Sequence, residues 1–405
     1  MTREFIDFVN AHRDEDTARL LLSAARYPAI DMPAAVNQIE GLRMAAKKWP
    51  SLADCGEYRY PPRLNREQAS SEATAYYKAK LLTSDSSLLT VADLTGGMGI
   101  DTLAFAHMAE HVDYVERDPM LCALMEQNCK ALGVKNVTVH CADSMEWVRQ
   151  LRIQNSEFRI IFVDPARRNN YGRKVTAFED CTPDILAHMP MLLSHSQRLL
   201  VKASPMIDIS QALQQLQTVA EVHVVAVRGE CKEVLFLCND RTGEPIIHCI
   251  DIKDPKDLKI LNDFKDLKVF SFTREEESAA TATYSDHVDR YLYDPHAALR
   301  KGGCFRLLGQ RYGLPLLAPN SHLYTSPALL HDFPGRIFEV LQEVAPRRKD
   351  AKCLLPDGRA SVICRNFPVE AAALQKQLGL REGGDLFLIA TTVGTRRTAL
   401  LCRQK

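Results

Sequence analysis

Four acids of this 405-residue chain stand at or just past the end of short apolar runs: Asp93, Glu116, Asp143 and Asp164. Carboxylates in such places accept hydrogen bonds from hydroxyl and amino groups. Asp93 is followed by Leu-Thr-Gly-Gly-Met-Gly-Ile-Asp. Gly96, Gly97 and Gly99 make a tight turn between a strand and a helix that begins at Ile100. Backbone in such a turn can approach a nucleotide-like ligand closely. Taken alone, the turn also fits a purely structural role. Thr102 stands where a dinucleotide fingerprint has its third glycine.

Glu116 ends Val-Asp-Tyr-Val-Glu, about 20 residues past the first glycines, where an acid accepts hydrogen bonds from ribose hydroxyls. NAD and S-adenosylmethionine fit that acid equally, and a solvated acid at a strand end is the plain alternative. Asp143, in Cys-Ala-Asp-Ser, is placed to hold the exocyclic amine of adenine; otherwise Asp143 or Ser144 caps a helix starting at Met145. Asp164 decides the matter. Ile160 to Arg167 (IIFVDPAR) puts an acid and a proline at the carboxyl end of the next strand, outside which ligands of open α/β sheets bind. Pro165 has no N–H to compete for the neighbouring carbonyl oxygens. Those carbonyls and Asp164 can hold an amino group, which a dehydrogenase has no need to do. The missing third glycine then counts against NAD.

Arg167, Arg168, Arg173 and Lys174 surround Tyr171 in the following segment (RRNNYGRK), a composition that suits phosphates and an unstacked base, or a solvated loop. Lys202, in Lys-Ala-Ser-Pro after the next strand, either lines the same cleft or precedes a helix capped by Ser204 or Asp208. Covalent attack through sulfur is not expected, because Asp164–Arg168 contains no cysteine and Cys141 reads as core. No Cys/His grouping has metal-ligand spacing, so no metal is expected.

The elements that must position these residues follow from periodicity. Strand-like runs at 91–94, 112–116, 136–140, 160–163, 197–203, 220–226 and 233–238 alternate with helical segments such as 119–132 and 182–192. That alternation predicts a parallel sheet covered on both faces. The connection Arg228–Lys232 is too short for a parallel crossover, so the last two strands must be antiparallel. Residues 1–85 read as helical, with Gln68–Leu82 feeding directly into the glycine turn. A charged linker, Asp251–Lys268, opens the stretch 251–325. Residues 326–405 read as a small α+β unit with strands at 337–341, 361–364, 386–393 and 398–402 and a helix at 368–378.

Lys+Arg and Asp+Glu are both 51, so overall charge argues for neither a nucleic-acid nor a membrane partner. From Arg336 onward, thirteen Lys/Arg face seven Asp/Glu, a local basic surplus. Twelve scattered cysteines read as reduced thiols, hence a cytoplasmic setting. The acid-bearing N-terminus is not a signal peptide, and no run of 18 apolar residues predicts a membrane span.

Over about residues 86–240 the chain resembles the class I S-adenosylmethionine-dependent methyltransferases. The resemblance rests on Asp93 to Asp101, Glu116, Asp143 and Asp164-Pro165-Ala166-Arg167. It implies an α/β fold: a seven-stranded Rossmann-like sheet with the last strand antiparallel, an N-terminal helical domain, and small C-terminal α+β domains. It implies S-adenosyl-L-methionine as cofactor, held by Asp93, Thr95, Gly96, Gly97, Gly99, Asp101, Glu116, Asp143 and Ser144. Asp164, Pro165, Ala166 and Arg167 become the catalytic segment, with Arg168, Tyr171, Arg173, Lys174 and Lys202 at the substrate. Family members that methylate amino groups of bases usually carry Asp/Asn-Pro-Pro-aromatic. Ala166 and Arg167 depart from that pattern and remove the base-stacking aromatic, although arginine also stacks on bases and Tyr171 is near.

Residues 326–405 resemble the THUMP-like domain of some bacterial methyltransferases, notably at Arg365-Asn-Phe-Pro368 and Glu382-Gly-Gly-Asp385. The stretch 251–325 resembles the ferredoxin-like unit that precedes it there. THUMP domains bind RNA, so the implied partner is RNA. The leading expectation is methyl transfer to a base nitrogen of tRNA or rRNA by in-line displacement. The alternatives are a protein or small-molecule methyltransferase, and a non-catalytic protein that keeps the fold and binds cofactor or RNA.

Overall fold

Short apolar runs form the strands that carry the four acids. The computed structural model describes residues 2–82, 89–151, 158–167, 178, 181–239, 243–253, 267–355 and 357–405. The chain folds as two units: one holds residues up to Val222 with Lys232–Gly243, the other His223–Cys231, Glu244–Asp251 and Leu267–Lys405.

In the first unit the strands are β1 (Thr90–Asp93), β2 (His111–Glu116), β3 (Val137–Cys141), β4 (Phe158–Val163) and β5 (Ser196–Ala203). They are joined by β6 (Val219–Val227) and β7 (Glu230–Cys238). Their order is β3-β2-β1-β4-β5-β7-β6. From β3 to β5 every pairing is parallel, and β7 runs antiparallel to β5. Val91, Ala92 and Ile160 to Val163 are almost wholly buried, as strands covered on both faces must be. After β3 the chain crosses to the other side of β1 to make β4. That reversal opens a crevice outside the carboxyl ends of β1 and β4, where Asp93 and Asp164 lie.

Helices α1 (Arg3–Ala11), α2 (Thr17–Leu22) and α3 (Met32–Lys48) share a core of Phe8, Val9, Leu20, Met32, Ala35, Val36 and Ile39. Then come α4 (Pro50–Ala53), α5 (Arg63–Gln68) and α6 (Glu72–Leu82). Trp49, fully buried, donates from Nε1 to the Ser70 carbonyl at 2.7 Å and fixes the turn between α5 and α6. Helix α6 packs against α7 (Ile100–Ala106). Helices α8 (Pro119–Leu132), α9 (Ser144–Gln150), α10 (Ile185–Ser194) and α11 (Ile209–Leu216) follow, and an aspartate caps each N-terminus: Asp118, Asp143, Asp184 and Asp208.

In the second unit, Arg228 and Gly229 both have positive φ, the two-residue hairpin geometry that matches strand twist. Strands β8 (Ile246–Ile252) and β9 (Val269–Phe272) pair antiparallel. The sequence pattern did not indicate these two strands. Their alternation (Ile247, Cys249 and Ile250 fully buried) is short and abuts the charged run 253–268, which masks it.

A six-stranded sheet follows: β10 (Tyr291–Pro295), β11 (Tyr324–Ser326), β12 (Gly335–Val344), β13 (Ser361–Cys364), β14 (Leu386–Val393) and β15 (Arg396–Gln404), in the order β11-β10-β12-β15-β14-β13. Only β13 and β14 pair in parallel. Asp294, 1 % exposed at the end of β10, is bridged by Arg300 at 3.2 Å, Arg336 at 2.6 Å and Arg365 at 3.1 Å. Burial alone would raise its carboxyl; the three guanidiniums hold it below the ordinary value.

Candidate active site

The glycine turn is built around Tyr114. A Cβ on Gly96 would fall on the Tyr114 ring, which is buried and donates its hydroxyl to the Gly97 carbonyl at 2.8 Å. Gly97 and Gly99 adopt φ of 53° and 79°, and Gly99 is the N-cap of α7. The Gly97 N–H donates to Glu116 Oε2 at 3.0 Å, and the Asp118 N–H donates to Oε1 at 3.0 Å. Each Glu116 oxygen keeps a lone pair for a further donor. Asp93 is 1 % exposed and accepts from the Thr102 hydroxyl at 2.6 Å and the Thr95 N–H at 3.1 Å. Burial pushes its carboxyl up to about 7, against the pull of the Thr102 hydrogen bond.

Thr95 ties the turn to the end of β4: its hydroxyl oxygen accepts from the Asp164 N–H at 2.7 Å. The Asp164 side chain is 35 % exposed, and its Oδ2 lies 2.5 Å from Lys202 Nζ. Lys202 comes from the end of β5 and also donates to Ser70 Oγ at 3.1 Å. Beneath this pair lies a second. Lys78, on α6 and wholly buried, sits 2.7 Å from Glu233 on β7 and 3.1 Å from Asp101 on α7. Ser70 joins the two pairs: Lys78 donates to its oxygen at 3.3 Å, and its hydroxyl donates to Asp101 Oδ2 at 2.7 Å. Burial would pull the Lys202 ammonium down, but Asp164, Asp101 and Glu233 hold it above the usual lysine range. Asp101 is pushed up by burial and pulled further down by Lys78 and Lys202, so its carboxyl ends below the ordinary value. Glu233, more deeply enclosed, is raised by burial.

Ser70, Asp101, Glu116, Asp164 and Lys202 border a cleft of about 760 Å³. Of the residues that the sequence singled out, Thr95, Gly96, Gly97, Gly99, Asp101, Glu116, Asp143, Ser144, Asp164, Pro165, Ala166 and Lys202 line it. Asp93 lies behind the turn. Asp143 caps α9 through Oδ1, which accepts from Met145 and Glu146 N–H, both at 3.0 Å; Ser144 is the first residue of that helix. Ala166 and Arg167 pair with Thr182 and Cys181 in a short antiparallel ladder. Arg168, Tyr171, Arg173 and Lys174 lie outside the described residues.

Sequence reasoning missed Ser70, Lys78 and Glu233. Lys78 was visible only as one residue of a helix, and Glu233 only as the acid before Val-Leu-Phe-Leu-Cys. Lys78 and Glu233 meet across 155 positions of the chain, which periodicity does not encode. A buried lysine on the apolar face of α6 was the available signal.

Comparison with known proteins places these features in a family. Residues 89–176 match the family described as RNA cap guanine-N2 methyltransferase, residues 291–334 a ferredoxin-like domain, and residues 335–404 the family described as THUMP domain-like. The crystal structure of a protein from Porphyromonas gingivalis W83, described as a methyltransferase, is 33 % identical with a TM-score of 0.83. The match covers 99 % of this chain and 97 % of that one. A SAM-dependent methyltransferase from Agrobacterium tumefaciens is 22 % identical over 33 % of this chain and 44 % of that one, with a TM-score of 0.27. An rRNA methylase from Streptococcus thermophilus is 14 % identical over 42 % of this chain and 95 % of that one, with a TM-score of 0.30. No curated protein sequence matches the chain.

Proposed function

The chain belongs to the methyltransferase family in which a Rossmann-like domain is followed by ferredoxin-like and THUMP-like segments, and on that premise we propose that it transfers a methyl group from S-adenosylmethionine to tRNA or rRNA by in-line displacement. The observation that carries the reading is the convergence of the glycine turn, Glu116, Asp143 and Asp164 on one cleft at the carboxyl ends of β1 to β4. The residues fit the cofactor. Nothing lies nearer than 3.7 Å to a side-chain position on Gly97, so backbone can pass close to a ligand. Glu116 retains acceptor capacity for ribose hydroxyls, and Asp143 retains Oδ2 for the adenine amine.

When bound, the sulfonium supplies an already activated methyl group, so the protein's part is alignment at near-attack distance. Asp164, with the Pro165 carbonyl, orients the acceptor. Lys78 and Glu233 lie beneath this part of the cleft, where Asp101 and Asp164 face Lys202, a local excess of negative charge that suits a cationic cofactor.

A base nitrogen is the acceptor that the sequence resemblance implies. One observation favours a second reading: Lys202 already occupies Asp164 Oδ2, so an amino group would meet a cation beside its acceptor. The basic surplus after Arg336 supports an RNA partner, since phosphate contacts dominate such affinity. The twelve cysteines are unbridged, in keeping with a cytoplasmic setting. Among the described residues no helix is long and apolar enough to cross a membrane.

Labelled S-adenosylmethionine incubated with the full chain and fractionated cellular RNA and protein tests the proposal. Counts in RNA are the expected result. Counts in protein would shift the assignment to a protein methyltransferase, and none in either would leave a binding protein.

A further inference from the structure

We infer that the acceptor presented to this cleft is an oxygen, a ribose hydroxyl of RNA, and that Lys202 and Asp164 select it as a donor–acceptor pair. The inference rests on the RNA-methylation reading and goes on to name its target atom.

A lysine ammonium has three donors and no acceptor. Asp164 Oδ2 and Ser70 Oγ take two of the Lys202 donors, at 2.5 and 3.1 Å, and among the described residues nothing takes the third. Asp164 Oδ1 is likewise left for a donor, on a side chain open to the cleft. The wall therefore offers one hydrogen-bond donor and one acceptor, side by side.

Three nucleophile types of RNA can be set against that pair. An exocyclic amine presents N–H donors, and its lone pair is drawn into the ring, so it satisfies Asp164 but confronts Lys202 with another donor. A bare ring nitrogen, as in adenine N1 or cytosine N3, presents only a lone pair, which satisfies Lys202 but faces Asp164 Oδ1 with no proton to share; one that carries hydrogen, as in guanine N1, has its lone pair drawn into the ring and, like the amine, offers Lys202 no acceptor on the reacting atom. A ribose 2′-hydroxyl is donor and acceptor at once and satisfies both. The Arg167 departure is consistent with this choice: a base-stacking aromatic at that position serves base methylation, and a ribose target does not need one.

The buried tier explains why the pair persists. Lys78, Glu233 and Asp101 surround Lys202 with more negative than positive charge, which keeps it an ammonium and fixes its direction through Ser70. In the transfer, the hydroxyl oxygen forms a bond to the methyl carbon as the carbon–sulfur bond breaks. Sulfur keeps that electron pair and becomes a neutral thioether. The hydroxyl proton passes to Asp164 Oδ1, while Lys202 offsets the negative charge that develops on oxygen.

The test is the identity of the product. Wild-type full-length protein, methyl-labelled S-adenosylmethionine and fractionated cellular RNA are incubated, and the RNA is hydrolysed with alkali. A 2′-O-methyl group blocks cleavage at its own nucleotide, so the expected label runs in alkali-resistant dinucleotides. Label in ordinary mononucleotides would mean base methylation and would overturn the hydroxyl inference while leaving RNA methylation standing. No label in RNA would overturn both. Lys202→Met should lower kcat at least about 100-fold with S-adenosylmethionine affinity within about threefold, measured by calorimetry. Undiminished kcat in that variant would remove Lys202 from the pair.

Discussion

Asp164 and Lys202, at the carboxyl ends of neighbouring parallel strands, form an ion pair with 2.5 Å between Oδ2 and Nζ. One member is more than a third exposed and the other is nearly enclosed, so the carboxylate faces the cleft while the ammonium anchors it. Asp164→Ala should cut turnover by about 10²- to 10⁴-fold, the range for loss of a proton acceptor. Cofactor affinity should persist, because the glycine turn and Glu116 are untouched. Single-turnover kinetics beside calorimetric titration separate the two, and wild-type turnover in this variant would end Asp164's catalytic assignment.

Lys78 is enclosed with Glu233 and Asp101 as its counter-charges. Removing one partner of a buried pair costs about 3–5 kcal/mol, whereas replacing both with apolar groups is often neutral. Lys78→Met should therefore destabilise the first unit strongly, and adding Glu233→Leu should recover part of the loss. Urea midpoints of the single and double variants check this; a double variant no better than the single would argue against the pairing.

Gly96 has no room for a methyl group, because the Tyr114 ring that blocks it is tethered to Gly97. Gly96→Ala should cost about 1–3 kcal/mol. It should also abolish the thermal shift that S-adenosylmethionine gives the wild type. Gly56, with nothing within 4 Å, is the control whose substitution by alanine should change neither.

Asp93 carries a pH signature. Its carboxyl is at about 7 in the fold and near 3.8 when unfolded. Between those values the folded chain holds a proton that the unfolded chain has lost. The resulting stability is whole below about pH 3.8 and is lost as the pH rises through about 7, at up to about 1.4 kcal/mol per pH unit. Asp93→Asn should flatten that slope between pH 4 and 7 in denaturant titrations. An unchanged slope would place the titrating group elsewhere.

The sheet was legible because its strands are apolar runs bounded by acids and glycines, and because a five-residue connection forced one antiparallel step. The turn residues that line the cleft were legible for the same reason: Gly96, Gly97, Gly99 and Glu116 occupy fixed offsets along a strand–turn–helix unit. The tier of ion pairs at the strand ends was legible only in part. Asp164 and Lys202 end strands and so announce themselves, whereas Ser70, Lys78 and Glu233 meet through tertiary crossings that leave no local pattern. Asp143 caps α9, one of its two sequence readings, and also lines the cleft.

Strands β10 and β12 lie on opposite sides of the junction at residues 334 and 335, yet they pair from Tyr291 with Glu339 to Pro295 with Gly335. Asp294 on one side is neutralised by Arg336 and Arg365 on the other. A chain ending at 334 would carry a raw strand edge and a buried acid short of two of its three counter-charges, a recipe for aggregation. The ferredoxin-like and THUMP-like segments thus share one sheet, and a break at their junction would cut through it.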